Sequence, residues 1–363
     1  MNYVRLGDLC VINSGGTPRR NNKSYWKNGD IPWVKISDLK NGIVESTEEF
    51  ITLDGLNNSS AKIFPKGTLL YTIFATIGEV AILKMDAATN QAIVGIQLKE
   101  NKKVYLKYIY YYLKSQTNNI KQLGRGVAQN NINLSVVKNM IIPIVSLEKQ
   151  RNIIATLNKL EKIKENRITI LNCLDDLIKS RFDELFLDTH AIEIIEIGEL
   201  FEVGSSKRIL QSELTAYGVP FYRVTDLINR INDKTVDIKQ YVDEFKYMTL
   251  IKDKYVPQAG DFLITARGTI GKIYEVKQND RFYFQDGMIT WLKRKNNYIN
   301  SLFFMELVKT DWFRRQFYSS NNGTTISYLS ITDTRHLKVL LPSINLQKQF
   351  AQEVNQINKL KFA

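Results

Sequence analysis

The chain has 363 residues, 44% hydrophobic and 24% charged, which excludes a disordered or collagen-like protein and exceeds what a single core usually organises. A total of 50 Lys and Arg against 37 Asp and Glu gives a formal charge of +13, divided as +8 over residues 1–190 and +5 over 191–363. Both halves therefore suit a polyanionic partner, nucleic acid before an anionic membrane.

The first residues, MNYVRLGDLC, carry charge by the fifth position and lack an apolar leader. No apolar run approaches the roughly 18 residues of a membrane span. Only Cys10 and Cys173 are present, too few for a disulfide framework or a metal knuckle. A cytoplasmic protein with no membrane partner is expected.

RLGDLCVINSGG from Arg5 leads into SGGTPRRNNKSYWKNGD (14–30), a polar, basic loop. IPWVKISDLKNG (31–42) and GTLLYTIFATIGEVAIL (67–83) follow, short β-branched and aromatic runs bounded by Gly, Asn and Asp. A helix is predicted at 105–115. Its tyrosines Tyr105, Tyr108, Tyr110, Tyr111 and Tyr112 read better as packing residues than as a base-stacking platform. GRGVAQNN (124–131) is a second polar loop.

After IIPIVSLEKQ (141–150) the chain has neither Pro nor Gly from Leu147 to His190, and apolar residues recur at three- and four-residue multiples. This predicts one helix capped by Ser146, roughly 60 Å long at 1.5 Å per residue.

The same order then returns. EIGELFEVGSSK from Glu196, VPFYRVTDLINR (219–230), GDFLITARGTIGKIYEV (260–276), YINSLFFM (298–305) and LLPSINLQKQ (340–349) repeat the first half. GTLLYTIFATIGEVAIL and GDFLITARGTIGKIYEV share six of 17 residues without a gap, and the offset drifts from 188 to 199 positions. That period is too long for a solenoid and fits a duplicated domain. A second helix starts near Asn345 and reaches at most about 27 Å by Ala363.

Catalytic constellations are scarce. His190 and His336 are the only histidines and neither lies in a zinc-hydrolase spacing; the long helix should end at His190, and His336 should pack beside a strand. There is no P-loop, no Asn/Asp-Pro-Pro-aromatic motif of amino-methyltransferases and no Pro-Asp nuclease start, and Ser14 to Thr17 read as a turn.

What remains is a set of basic loops. The expected DNA contacts are Thr17, Arg19, Arg20, Lys23, Lys35, Arg125, Gln129 and Asn130 in the first half. Lys207, Arg208, Arg223, Arg267, Thr269, Asn321, Asn322 and Thr325 are those of the second. Basic members suit phosphates, Arg can also grip guanine, and Asn or Gln can grip adenine.

Two basic domains, each closing on IP-x-x-x-Leu-x-x-Gln or its LP variant and then a helix, resemble the specificity subunit of type I restriction-modification systems. The motifs that carry this are NINLSVVKNMIIPIVSLEKQRNIIATL (131–157), SITDTRHLKVLLPSINLQKQFAQEV (330–354), IPWVKISDL and the paired TIG turns. The resemblance implies an α+β fold in which two pseudo-repeated mixed α/β target recognition domains, 1–145 and 191–342, are separated by long helices. These helices, 146–190 and a short 343–363, would pair as an antiparallel coiled coil through Leu157, Leu160, Ile163, Leu171, Leu174 and Leu177. It further implies double-stranded DNA as partner, two methyltransferase subunits, and restriction subunits reached through the complex. S-adenosylmethionine, ATP and Mg would belong to those partners, with no cofactor, metal or catalytic residue in this chain. Because SGGTPRRNNK and SSKRILQSEL differ, two unlike half-sites are expected. A self-contained methyltransferase or nuclease, and a scaffold that binds only proteins, are the competing classes; the second predicts no sequence preference for DNA.

Overall fold

The computed structural model describes residues 2–39, 42–99, 103–124, 131–188, 192–317 and 328–362. The chain divides into two compact units, Met1–Asn166 and Arg167–Ala363, and the division falls inside one continuous helix, Leu147–Phe182.

Unit 1 is built on a five-stranded sheet in the order Cys10–Ser14, Ile93–Leu98, Leu69–Thr72, Val80–Leu83, Ile43–Val44. A second sheet runs Phe50–Ile51, Ile31–Val34, Ala87–Thr89, Ile63–Phe64, and its middle pair is parallel. Unit 2 repeats the plan. Its larger sheet is Phe201–Gly204, Ile289–Arg294, Phe262–Thr265, Ile273–Glu275. The smaller one is Leu214–Thr215, Tyr241–Val242, Val219–Tyr222, Tyr283–Phe284, with the last pair parallel. The predicted duplication is thus a duplication of topology.

In each unit a two-stranded antiparallel sheet joins the first strand to the last. Asn2–Arg5 pairs with Ile141–Ile144, and Glu193–Glu196 pairs with Lys338–Leu341. His336 lies just before this sheet in unit 2. It ends the helix Ile331–His336, exposed, and lies beside a strand as expected, with Nδ1 2.9 Å from Glu196 Oε2 at the end of Glu193–Glu196. His190 lies outside the described residues.

The repeated Leu-x-x-Gln motif has a physical reason. Gln150 is fully buried; its amide oxygen accepts from Tyr105 N (3.0 Å) and its amide nitrogen donates to Lys103 O (2.9 Å) and Val145 O (2.8 Å). Gln347 is equally buried and makes the same three bonds, with Asn300 N (2.7 Å), Tyr298 O (3.0 Å) and Pro342 O (2.8 Å). In both units one amide therefore ties the first turn of a C-terminal helix to the residues that start the helix Leu106–Ser115 or Ser301–Lys309. The predicted helix at 105–115 is present, with Tyr108 and Tyr110 buried as packing requires.

The helix Leu147–Phe182 gives way to a π-helical turn, Asp183–Leu187, just past the bulky Phe182. Within unit 2 it is met by the antiparallel helix Ile344–Leu360. Phe182 and Phe186 stand 5.5 Å and 5.3 Å from Phe350, and Arg181 Nε donates to Glu353 at 2.8 Å. Farther along, Arg167 Nη2 donates to Lys361 O at 2.6 Å. Ile178, Phe182 and Phe186 carry this packing. Of the residues expected to do so, Leu157, Leu171 and Leu174 are half-buried, whereas Leu160 (55%), Ile163 (62%) and Leu177 (50%) are exposed. The buried stripe follows the aromatic residues at the helix end because rings bury more apolar area than leucines. In unit 1, Ile153 and Ile154 rest on the core, and the Tyr111 hydroxyl lies 2.6 Å from Asn158 Oδ1 and 2.7 Å from the Glu161 carboxylate, with one proton to donate between them.

The TIG stretch forms the same turn twice. The hydroxyl of Thr72 donates to Thr76 O and accepts from Glu79 N; that of Thr265 donates to Thr269 O and accepts from Lys272 N. The turn needs a left-handed residue, which is Ala75 (φ 57°) in one copy and Gly268 (φ 70°) in the other. Nothing lies within 4 Å of a Cβ built on Gly268, so Gly268→Ala should cost only the backbone term, about 1 kcal/mol. Ala75→Gly should leave stability unchanged or raised; denaturant unfolding of both variants checks this. Gln150→Leu and Gln347→Leu keep the volume but strand three backbone groups each, and each should lower unfolding stability by more than about 2 kcal/mol.

Candidate nucleic-acid interface

In each unit the start of the first basic loop and the TIG turn meet the segment that links the two sheets. In unit 1, Gly15 N donates to Ile93 O, Gly16 N to Thr89 O, Ile73 N to Ala92 O and Asn90 N to Val34 O, all at 2.8–3.1 Å. A Cβ on Gly15 would fall 2.0 Å from Thr89 Oγ1, and one on Gly16 would meet Ser60 at 2.3 Å, which is why two glycines stand there. In unit 2, Ala266 N donates to Met288 O (2.9 Å), Gln285 N to Tyr222 O (3.0 Å) and Ser206 Oγ to Phe284 O (2.8 Å).

The first loop is pinned by different side chains to the same end. The Trp33 indole donates to Gly16 O at 3.0 Å, while the Tyr283 hydroxyl donates to Lys207 O at 3.0 Å. On leaving the second polar loop, Ile132 N donates to Ile73 O (3.0 Å), and its counterpart Leu329 N donates to Ala266 O (2.8 Å). In each copy the residue that follows the second polar loop is thus held beside the TIG turn.

Lys35 and Arg223 occupy equivalent places, where the backbone N–H is capped by Asp38 Oδ2 (2.8 Å) and Asp226 Oδ2 (2.9 Å). The Asp that recurs in KISD and RVTD is therefore a capping residue. Arg223 is exposed, reaches Gln240, and borders a depression of about 320 Å³ shared with Thr225, Asn229 and Lys239.

Charge pairing separates the expected contacts into two groups. Lys35 is held by Glu49 (3.0 Å) and Glu48 (3.3 Å), and the Glu49 bond raises its pKa. Burial pushes the Glu49 carboxyl upward, but hydrogen bonds from Arg20 and Lys35 outweigh it and hold the group below the usual carboxylate range. Thr17 is half-buried with its hydroxyl on Gln91, and Lys207 lies 3.9 Å from Asp253 and over the Tyr255 ring. Arg19, Lys23 and Arg208 are exposed and, among the described residues, meet no acidic side chain. Arg267 and Thr269 are exposed on the TIG turn, with Arg267 stacked over Tyr328 at 4.4 Å. Arg125, Gln129, Asn130, Asn321, Asn322 and Thr325 lie outside the described residues.

Sequence reasoning missed Trp26 and Glu49, which frame Arg20. The signal was present as an aromatic pair, YW, six residues after RR, but nothing in the sequence brings Glu49 to that loop. Among the described residues no helix is long and apolar enough to cross a membrane.

The family model for the type I restriction modification DNA specificity domain matches residues 1–172 and again 190–362. The chain belongs to this family and carries its domain twice. It is 26% identical to the type I restriction enzyme MjaIX specificity subunit of Methanocaldococcus jannaschii over 95% of this chain and 84% of that one. A second relative, the EcoR124I/EcoR124II specificity subunit of Escherichia coli, is 30% identical over 46% of this chain and 42% of its own length. Two solved structures share the fold. The S subunit of a type I restriction-modification system from M. genitalium matches at a TM-score of 0.52 and 19% identity, covering 99% of this chain and 91% of that one. A chain from a structure of type I R-M complex assembly and conformational transition matches at 0.60 and 17% identity, covering 99% and 90%. This chain is accordingly a specificity subunit, the non-catalytic member of such a system, and not an enzyme.

The pairing pattern yields a measurable contrast. Lys23→Ala and Arg208→Ala should each reduce the slope of log K for DNA against log salt by about 1. Lys35→Ala should change it far less, because Glu48 and Glu49 already neutralise that ammonium. Equal slopes for all three variants would refute the division.

Proposed function

We propose that this chain reads an asymmetric, bipartite double-stranded DNA site, one half with each unit, and recruits methyltransferase and restriction subunits that do the chemistry. The observation that carries the reading is that, in both copies, the start of the first basic loop and the TIG turn meet the segment that links the two sheets. The frame beneath those loops is the same, and their exposed residues differ. Two copies of one reader would accept a palindrome; two readers with Arg19, Arg20 and Lys23 against Lys207, Arg208 and Arg267 would not.

The helix Leu147–Phe182 links the readers covalently and would serve as a docking platform for methyltransferase subunits, two in number. Its exposed Leu160, Ile163 and Leu177 suit a protein partner better than water. S-adenosylmethionine, ATP and Mg would then be bound by the partner subunits. Arg19, Lys23 and Arg208 would hold phosphates, and Arg267 and the amides of the second loops would face base edges.

Co-expression with a methyltransferase partner in a host lacking other modification, followed by mapping of methylated bases across the genome, checks this reading. A single motif of two unlike parts with a constant gap is expected. A palindrome would mean that one unit is used twice across two chains, and methylation without any motif would leave only a scaffold.

A further inference from the structure

Arg20 differs from the other expected contacts in how firmly it is held. Its Cζ lies over the Trp26 ring at 3.8 Å and 4.6 Å from the centroid of Trp33, and the two indoles meet edge to face at 5.0 Å and 89°. The cradle is itself fixed: Trp33 is buried and bonded to Gly16 O, and the Trp26 indole donates to Arg19 O at 3.2 Å. The two rings, at right angles, bracket the guanidinium, whose five N–H donors lie in one plane. Nη1 donates to Glu49 Oε2, which sets the rotation within the plane. Among the described residues Nε and Nη2 meet no acceptor, and the side chain is 52% exposed.

Resting on the DNA-reading role above, we propose that Arg20 is a preorganised guanine reader and that Glu49 is its positioning residue. The free Nε and Nη2 donors form a parallel pair that matches the O6 and N7 acceptors of guanine in the major groove. Adenine offers an acceptor beside an amino donor there, so one Arg N–H would face another N–H. A phosphate contact needs charge and tolerates any orientation. A carboxylate on Nη1 weakens the charge and fixes the orientation, which suits base reading and opposes simple phosphate holding. The neighbouring Lys35, bonded to the same Glu49, has no planar fork to orient and acts as the second anchor of that carboxylate.

The test is selection from a randomised duplex library with the full chain, alone and with its methyltransferase partner, comparing wild type, Arg20→Lys and Glu49→Gln. Arg20→Lys keeps the charge and loses the fork. It should relax one guanine of the enriched motif by about 10- to 100-fold and leave every other position as in wild type. Glu49→Gln should relax the same position by less, and it carries the same readout should the lysine variant fold poorly. An unchanged motif in both variants, or uniform weakening at all positions, would overturn the inference alone. A wild-type chain that enriches no motif under either condition would overturn the DNA-reading role and this inference with it.

Discussion

A buried side-chain amide is the constraint on which each half of this protein depends. An amide out of water must satisfy its donors and acceptor within the protein, and Gln150 and Gln347 do so with three backbone groups apiece. Those groups belong to the end of the closing strand and to the entry of the domain's main helix. The C-terminal helix of each unit can therefore begin at only one place and in one rotational phase. An apolar residue there would bury as much surface and specify neither.

Above this fixed base, the two units show how one frame carries two chemistries. Gly16 and Lys207 occupy the same position, yet the backbone oxygen of each accepts from a buried aromatic donor, an indole in one case and a phenol in the other. The contact is kept while the side chains that make it change. Buried positions admit few such solutions, because a stranded polar group costs more than a lost surface contact. The exposed residues of the loops carry no such restriction and are free to diverge, which is where recognition needs variety.

Much of this organisation was legible in the sequence. Ordered repetition of RLGDL, IPWVKISDL, TIG and IP-x-x-x-Leu-x-x-Gln revealed the duplication, since buried turns and caps preserve residue type at fixed spacing. Pro- and Gly-free periodicity disclosed the long helix. The phase of its packing was less readable: leucines and isoleucines recur on several faces, and Phe182, Phe186 and Phe350 decide which face is covered. The frame of Arg20 was hidden altogether, because Glu49 reaches it across 29 positions of irregular chain and no local pattern encodes that encounter. The ionic partner of His336 was hidden for the same reason, Glu196 being 140 positions away.

The antiparallel strand pairs Asn2–Arg5 with Ile141–Ile144 and Glu193–Glu196 with Lys338–Leu341 bring the entrance and exit of each unit side by side. A domain whose two ends meet behaves as a plug: it can be excised or replaced as a block without stretching the chain that remains. Genetic exchange between such blocks would create a new combination of readers in one step, each already folded around its own core, whereas point substitution must cross intermediates that read nothing well. Under the proposed division of reading, the architecture would make specificity heritable in halves.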